Sequence, residues 1–470
     1  MRYVSTRGGA AELGFEDALL AGLARDGGLY VPAQYPRLSA ATIAGFAGKP
    51  FHEVAVEVLE PLTGGAIPRA DLAAMTKAAY ASFGHPAVTP LVQIGANRFV
   101  LELFHGPTLA FKDVAMQLLA RLMDYVLAKR GQRATIVGAT SGDTGGAAIE
   151  AFRHSTRADV FVLFPDGRVS DVQRRMMTTP QAPHLHALSI DGTFDDCQAR
   201  VKDMFNHHGF RDRLQLAGVN SINWARIAAQ VTYYFVAAVA LGGPYRKVSF
   251  VVPTGNFGDI FAGHVARQMG LPIETLTIAT NSNDILARTV ASGIYETRGV
   301  VATSSPSMDI QVSSNFERYL FEASGRDAAK IRGFMDSLKQ SGRFELGKVL
   351  ANALRTGFAA ISATEPAIAQ TIQRVQRECG YLLDPHTACA AAAPEMSGAP
   401  QVIIATAHPA KFPEAMQKIA GIHPALPPRL ERLMTDPEHM THLRNDVGAI
   451  EAFIETKSGA LRPQARGDRA

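Results

Sequence analysis

The chain has 470 residues, 47% hydrophobic and 19% charged, and its 47 lysines and arginines against 43 acidic residues leave a formal charge of +4. A length of this order allows roughly two to four domains, the composition is that of a globular chain rather than a disordered or fibrous one, and the charge is too slight and dispersed for a nucleic-acid surface. Three cysteines, Cys197, Cys379 and Cys389, make an odd count without metal-ligand spacing, so a reducing, cytoplasmic setting is expected, with no disulfide framework and no metal.

The start, MRYVSTRGGAAELGFEDALLAGL, has no secretory apolar region and carries Glu12, Glu16 and Asp17 early, so no secretory leader is expected. The first ninety or so residues read as mainly helical, with turns at Gly27-Gly28 and Gly64-Gly65. From Arg98 the pattern alternates. Strands are predicted at FVLELF (99–104), ATIVGA (134–139), VFVLF (160–164), LHALSI (185–190), KVSFVVP (247–253), TLTIAT (275–280) and QVIIATA (401–407). Continuous apolar runs of this kind suit parallel strands covered on both faces. Helices such as DVAMQLLARLMDYVLAKR (113–130) lie between them, which predicts an α/β fold with two doubly wound, mostly parallel sheets. The uncharged stretch from Ile227 to Tyr245 holds Gln230, Thr232, Tyr233 and Tyr234 and ends in Gly-Gly-Pro, so it reads as a buried helix and not a membrane span. A helix-rich insertion is expected over about 315–379, and the end, TKSGALRPQARGDRA, reads as a frayed tail. The domains expected are residues 1–95, a small α/β domain over 96–245, a large α/β domain over 246–430, and a C-terminal helix and tail over 431–470.

Chemistry collects at the loops. In FHGPTLAFKD, Lys112 falls at a predicted helix start, where the positive end of the helix dipole opposes its charge. By itself it reads more readily as a solvated helix start. After ATIVGA comes SGDTGG, whose Ser141, Gly142, Asp143 and Thr144 make either a tight strand-to-helix turn or an anion site on backbone amides. It is neither a Walker loop nor a dinucleotide fingerprint. After KVSFVVP, the turn Gly255-Asn256-Phe257-Gly258 has the same geometry. In YLLDPHTACAAAA, Asp384 and Pro385 read as N-cap and first helical residue, which leaves the Thr387 hydroxyl free to bond an outside group, unless the segment is only a capped helix. Together these place a lysine, two anion-binding turns and a hydroxyl at carboxyl ends of strands, where open α/β sheets bind ligands. The set suggests a Schiff base between Lys112 and a phosphorylated aldehyde, with Phe104 and Phe111 helping to desolvate the amine.

The motifs run in a recognisable order: YVSTRGG and GFEDALLAGLARDGGLYVP, FHGPTLAFKD, ATSGDTGGAA, VNSINWARI, PTGNFGDIFAG, SMDI with SNFER, LDPHTA and HPAKFPEA. In this order and nearly end to end, the chain resembles the threonine synthase family, pyridoxal-phosphate enzymes of the tryptophan-synthase-like (type II) fold, in its longer branch. The resemblance implies pyridoxal 5'-phosphate as cofactor and O-phospho-L-homoserine as small-molecule substrate, with neither nucleic acid nor membrane as partner and a monomer or homodimer as assembly.

It also implies roles for particular residues. Lys112 would bond the cofactor's aldehyde, and Gly255, Asn256, Phe257, Gly258 and Asp259 would cradle its phosphate. Thr387 would face the ring nitrogen, as a donor to a nitrogen that a threonine cannot hold protonated by charge pairing. Ser141, Gly142 and Thr144 would hold the substrate carboxylate, with Asp143 near the cofactor's phenolic oxygen; many relatives of the fold have Asn there. Ser221 and Arg226, with Asn223 beside them, would bind the substrate's phosphate, which a guanidinium fork suits. Another type II lyase, such as a dehydratase or phospho-lyase, or a non-catalytic relative binding phosphorylated amino acids, is the competing reading. Such dehydratases need no phosphate site for the substrate, and a non-catalytic protein needs no Lys112.

Overall fold

A computed structural model describes residues 1–395 and 398–461. The chain divides into two compact units, one of Met1–Leu118 with Ser221–Leu430 and one of Leu119–Asn220 with the described residues from Glu431 onward.

The sheet of the first unit has six strands, in the order Ala359–Ser362, Ile273–Thr280, Val248–Pro253, Gln401–Ala405, Arg98–Glu102 and Leu91–Gln93. Neighbours pair in parallel except for the last two, which are antiparallel. VSFVVP and QVIIA are buried along their whole length, as expected of parallel strands covered by helices on both faces. Ala405 lies opposite Glu102 and Ile403 opposite Val251, so the loops that leave these three strands open from one edge. The sheet of the second unit runs Thr441–Leu443, Leu185–Ile190, Ala158–Pro165, Ala134–Ala139 and Leu216–Ala217, parallel throughout. Its helices bury Cys197, Met204, Phe210, Ile450 and Ile454 against Val137, Phe161 and Leu188.

All seven predicted strands form, with ends displaced by a residue or two, and the α/β class stands as expected. The additional strands of the two sheets are short: Leu91–Gln93, Leu216–Ala217, Ala359–Ser362 and Thr441–Leu443. Pieces of two to four residues have too little apolar length to show as a periodic signal. The stretch 315–379 is helix-rich as expected, with helices Phe316–Ala323, Ala328–Ser341, Gly347–Gly357 and Glu365–Cys379, but it also carries Ala359–Ser362, which pairs with Thr277–Thr280 as an edge of the first sheet. The units also cut differently from the expected domains. Arg98–Glu102 and the helix Trp224–Ala240 fall in the first unit, since that strand pairs with Gln401–Ala405. The expected tail begins as structure: a helix runs to Lys457, Ser458 Oγ meets Thr135 Oγ1 at 2.7 Å, and the Gly459 amide donates to Asp159 at 3.0 Å. The remainder of that tail lies outside the described residues. Among the described residues no helix is long and apolar enough to cross a membrane.

Candidate active site

Lys112 opens the helix Lys112–Lys129, where its sequence context puts it, and its Nζ lies 5.2 Å from the centroid of the Phe111 ring. The loop before it is held from two sides. The Phe111 amide donates to Thr406 O at 2.8 Å and the His408 amide to Leu109 O at 3.1 Å, which ties the loop to the end of the neighbouring strand. Asp113, wholly buried, accepts the Thr108 amide and hydroxyl, each at 2.7 Å, while the equally buried Lys411 donates to Thr108 O at 2.9 Å. Burial pushes the Asp113 carboxyl up, and the bonds from Thr108 and the charge of Lys411 oppose that. Leu109 takes a left-handed φ of 58° to make the turn. Sequence reasoning passed over Asp113 and Lys411, which meet Thr108 from positions 5 and 303 residues away. Phe104 packs its ring on His105 and His408.

The second loop follows Val248–Pro253. Phe257, at φ 61°, is the N-cap of the helix Gly258–Gln268, and its ring is fixed between Phe316 and Phe358 at 5.2 and 5.3 Å. The carbonyls of the turn are taken: Gly255 O by the Ser313 hydroxyl at 2.7 Å, and Asn256 O by the amide and side chain of Asn315 at 3.0 and 3.1 Å. Among the described residues, none of the amides from Gly255 to Asp259 has a protein acceptor. Carbonyls bound on one side and amides unused at a helix N-terminus fit an anionic group such as a phosphate. The Asp259 side chain has a different task. It accepts the Tyr233 and Tyr234 hydroxyls at 2.6 and 2.8 Å, and burial pushes its pKa up to about 6. Only its backbone is therefore available to a phosphate.

Those tyrosines belong to the helix Trp224–Ala240, whose first turn carries Arg226. A Cβ at Gly258 would stand 3.6 Å from Ile227 Cδ1, so this turn abuts the glycine loop. Arg226 is 3% exposed, and burial pushes its pKa down to about 10, so the guanidinium is a buried cation at neutral pH. A solvated helix head is thereby excluded. A buried guanidinium at the positive end of a helix suits an anionic partner. Asn223 is the N-cap of this helix: its Oδ1 accepts the Ala225 amide at 3.0 Å and its Nδ2 donates to Leu19 O at 2.9 Å. Its side chain thus serves the fold, which qualifies the expected contact with substrate. The half-buried Ser221 hydroxyl has no protein partner among the described residues.

Asp384 and Pro385 are the N-cap and first residue of the helix Pro385–Ala391, as predicted. The Thr387 hydroxyl, however, is not free. It donates to Asp384 Oδ1, which also accepts the Thr387 amide at 3.1 Å. The N-cap carboxylate sits over the first turn and captures the hydroxyl along with the amides.

In the second unit, Ser141 to Thr144 form the turn into the helix Asp143–Ala151. Thr140 Oγ1 accepts the amides of Gly142 and Gly145, both at 2.9 Å, and shapes the turn. Gly142 has φ 136°, which only glycine adopts readily, and a Cβ there would meet Gln173 at 2.5 Å. Asp143 accepts Gln173 Nε2 at 2.9 Å, and Gln173 is fixed in turn by a capping box with Ser170. The Ser141 and Thr144 hydroxyls bond no protein group among the described residues. Thr140 and Gln173 escaped sequence reasoning, although Thr140 directly precedes the motif and its short polar side chain was a legible signal.

In the first unit, a lysine at a helix start, a cradle of unused amides and a helix-opening hydroxyl line one sheet edge. This donor set fits a phosphorylated aldehyde with a ring, and the fold and site define a pyridoxal-phosphate-dependent enzyme of the type II fold. Residues 83–406 match the family model described as pyridoxal-phosphate dependent enzyme, residues 2–80 match threonine synthase N terminus, and residues 387–454 match threonine synthase, C-terminal. A threonine synthase from Pseudomonas aeruginosa is 49% identical over 468 residues, 98% of this chain and 100% of that protein. A crystal structure of pyridoxal-phosphate-bound threonine synthase from Brucella melitensis has 61% identity and a TM-score of 0.96, covering 98% of this chain and 100% of that one. The yeast threonine synthase structure has 38% identity and a TM-score of 0.91, covering 97% and 98%. The chain belongs to the threonine synthase family.

Proposed function

We infer that the protein converts O-phospho-L-homoserine and water to L-threonine and inorganic phosphate, a carbon–oxygen lyase reaction that closes threonine biosynthesis. The observation that supports this reading is that the first unit carries, besides the unused amides of the glycine loop, a separate buried guanidinium, Arg226. The amides of Gly255 to Asp259 suit the cofactor's phosphate, and the buried Arg226, with Ser221 in the turn that leads into its helix, suits a second phosphate on the substrate. A dehydratase would have no use for the second site.

The bound cofactor supplies a conjugated electron sink for negative charge developing at the substrate's Cα. Lys112 would hold the cofactor, and its Nζ, as a free amine, would take the proton from Cα, release it, and then take one from Cβ. Arg226 and Ser221 stabilise the phosphate as it leaves Cγ. A proton returned to Cγ, hydroxide added at Cβ from water and a proton restored to Cα complete threonine, and the second proton of that water leaves with phosphate. Ser141, Gly142 and Thr144 would hold the substrate carboxylate, and Asp143, kept in place by Gln173, would stand by the cofactor's phenolic oxygen. A cytoplasmic location accords with three free cysteines, and a monomer or homodimer is the assembly proposed.

Purified protein incubated with O-phospho-L-homoserine is expected to form threonine and phosphate in equal amounts, and to show a visible cofactor band that borohydride removes. Lys112→Ala is expected to lose both. Normal turnover by Lys112→Ala would overturn the assignment, and a 2-oxo acid in place of threonine would point to a dehydratase.

A further inference from the structure

Arg318 lies in the first turn of the helix Phe316–Ala323 and is wholly buried. Its guanidinium reaches three separate segments of chain. Nε donates to Tyr30 O at 3.0 Å, Nη2 to Ile222 O, and Nη1 to Asn315 Oδ1. Burial pushes its pKa down to about 10, so it is a cation at neutral pH. Its acceptors are two carbonyls and a carboxamide. Among the described residues no carboxylate forms an ion pair with it; the neighbouring Glu317 is engaged by Arg7 at 2.9 Å and by the Thr6 hydroxyl at 2.6 Å. Burying a guanidinium without a carboxylate is costly, so packing alone does not account for it.

Two of the three acceptors belong to the segments that carry the anion sites. Ile222 stands between Ser221 and Asn223, and the guanidinium carbon lies 5.8 Å from the centroid of Trp224, the first residue of the Arg226 helix. Asn315 is the N-cap of the Arg318 helix, a position where Asn ordinarily caps with its side chain. Here it makes no capping bond. Its Oδ1 accepts from Arg318, and its Nδ2 donates to Asn256 O at 3.1 Å, inside the glycine loop. A Cβ at Gly258 would stand 3.4 Å from that Nδ2. Tyr30, in the motif GGLYVP, supplies the third acceptor from the N-terminal region. A planar guanidinium holds its donors in fixed directions, so the three oxygens take fixed places about one group.

We propose that Arg318 is a positioning residue that holds both the cofactor-phosphate loop and the substrate-phosphate turn in their binding geometry, with the N-terminal region as its anchor. It acts on the loop through Asn315 and Asn256, and on the turn through Ile222. The proposal rests on the threonine synthase reading, which puts the cofactor's phosphate on the amides of Gly255 to Asp259 and the substrate's on Ser221 and Arg226. One buried side chain then serves two sites that are far apart in sequence, and its loss is felt at both. An ammonium in its place keeps the charge but lacks the planar fork that spans the three oxygens.

The test titrates pyridoxal phosphate into apoenzyme, read by its visible band, and measures KM for O-phospho-L-homoserine at saturating cofactor. In Arg318→Lys the cofactor dissociation constant and KM are each expected to rise about tenfold. Asn315→Ala cuts only the arm to the loop, so the dissociation constant is expected to rise while KM stays as in the wild type. In the double variant the rise in dissociation constant is expected to fall short of the product of the two single effects, because both substitutions cut the same arm. Independent effects in the double variant, or a rise in only one constant in Arg318→Lys, overturn the proposal. So does a lowered melting temperature with both constants unchanged, which would make Arg318 a structural residue only. If Arg318→Lys does not fold, Asn315→Ala still decides, since an unchanged cofactor dissociation constant there overturns the proposal. A wild type that binds the cofactor but makes no threonine would instead sink the threonine synthase reading, and the cofactor titrations would still test the arm to the loop.

Discussion

Arg226 sits where a cation is least favoured, in the first turn of a helix and 3% exposed. Both the helix dipole and the loss of water act against its charge, and burial is what brings its pKa down to about 10. A dianionic substrate phosphate would relieve both. Replacing the fork by a point charge tests this: Arg226→Lys is expected to weaken O-phospho-L-homoserine binding by about 1.5–3 kcal/mol, the range for a charged hydrogen bond. The cofactor band is expected to remain. Titration calorimetry beside the visible spectrum checks both, and loss of the band would assign Arg226 to the cofactor's phosphate. Thr387 and Asp384 make the matching lesson at this scale. Their helical positions were readable from Asp-Pro, but the direction of the hydroxyl hydrogen was not. Asp384 Oδ1 accepts it, with both side chains buried together at the helix start.

The two glycine turns in strand–turn–helix elements are constrained differently. In Gly255 to Gly258 the left-handed position is taken by Phe257, whose ring is locked by Phe316 and Phe358. In SGDTGG the constraint lies further into the helix. A Cβ on Gly145 would meet Thr140 Cγ2, Met177 Sδ and Val162 Cγ1 at 2.5, 2.6 and 2.7 Å, so the helix rests directly on its strand. Gly145→Ala is expected to destabilise by about 1–3 kcal/mol through overpacking, and to lower affinity for the substrate by lifting the turn that holds Ser141 and Thr144. Urea denaturation with substrate titration checks this; an unchanged midpoint would mean the helix shifts at no cost. Strand, turn and helix were all legible here from an apolar run and clustered glycines. The partner that holds Asp143 was not, because Gln173 comes 30 residues later on another helix.

Across the whole molecule, both units are assembled from separated stretches of chain. The first joins Tyr3, Trp224 and Leu62 in one hydrogen-bonded set, and Arg7 pairs with Glu317 at 2.9 Å. The second is completed by the C-terminal segment, whose Thr441–Leu443 extends the sheet and whose Ile450 and Ile454 are wholly buried in its core. Ile454→Ala is accordingly expected to cost about 2–5 kcal/mol. Hydrogen exchange should show faster exchange at Ala134–Ala139 and Ala158–Pro165, with Val248–Pro253 unaffected; uniform change in both units would mean that they unfold together. What the sequence determined alone was local: buried strands from continuous apolar runs, the Lys112 helix start, the glycine turns and the Asp384 cap, each written within a dozen residues and, in their order, enough to place the family. What only the tertiary structure decided was non-local. The short edge strands exist because a neighbour offers unpaired amides and carbonyls, Asp113 and Lys411 meet at Thr108 across some 300 residues, and Gln173 reaches Asp143 from another helix. Hydrogen bonds and charges act through space, and a linear pattern records only those whose partners are also near in sequence.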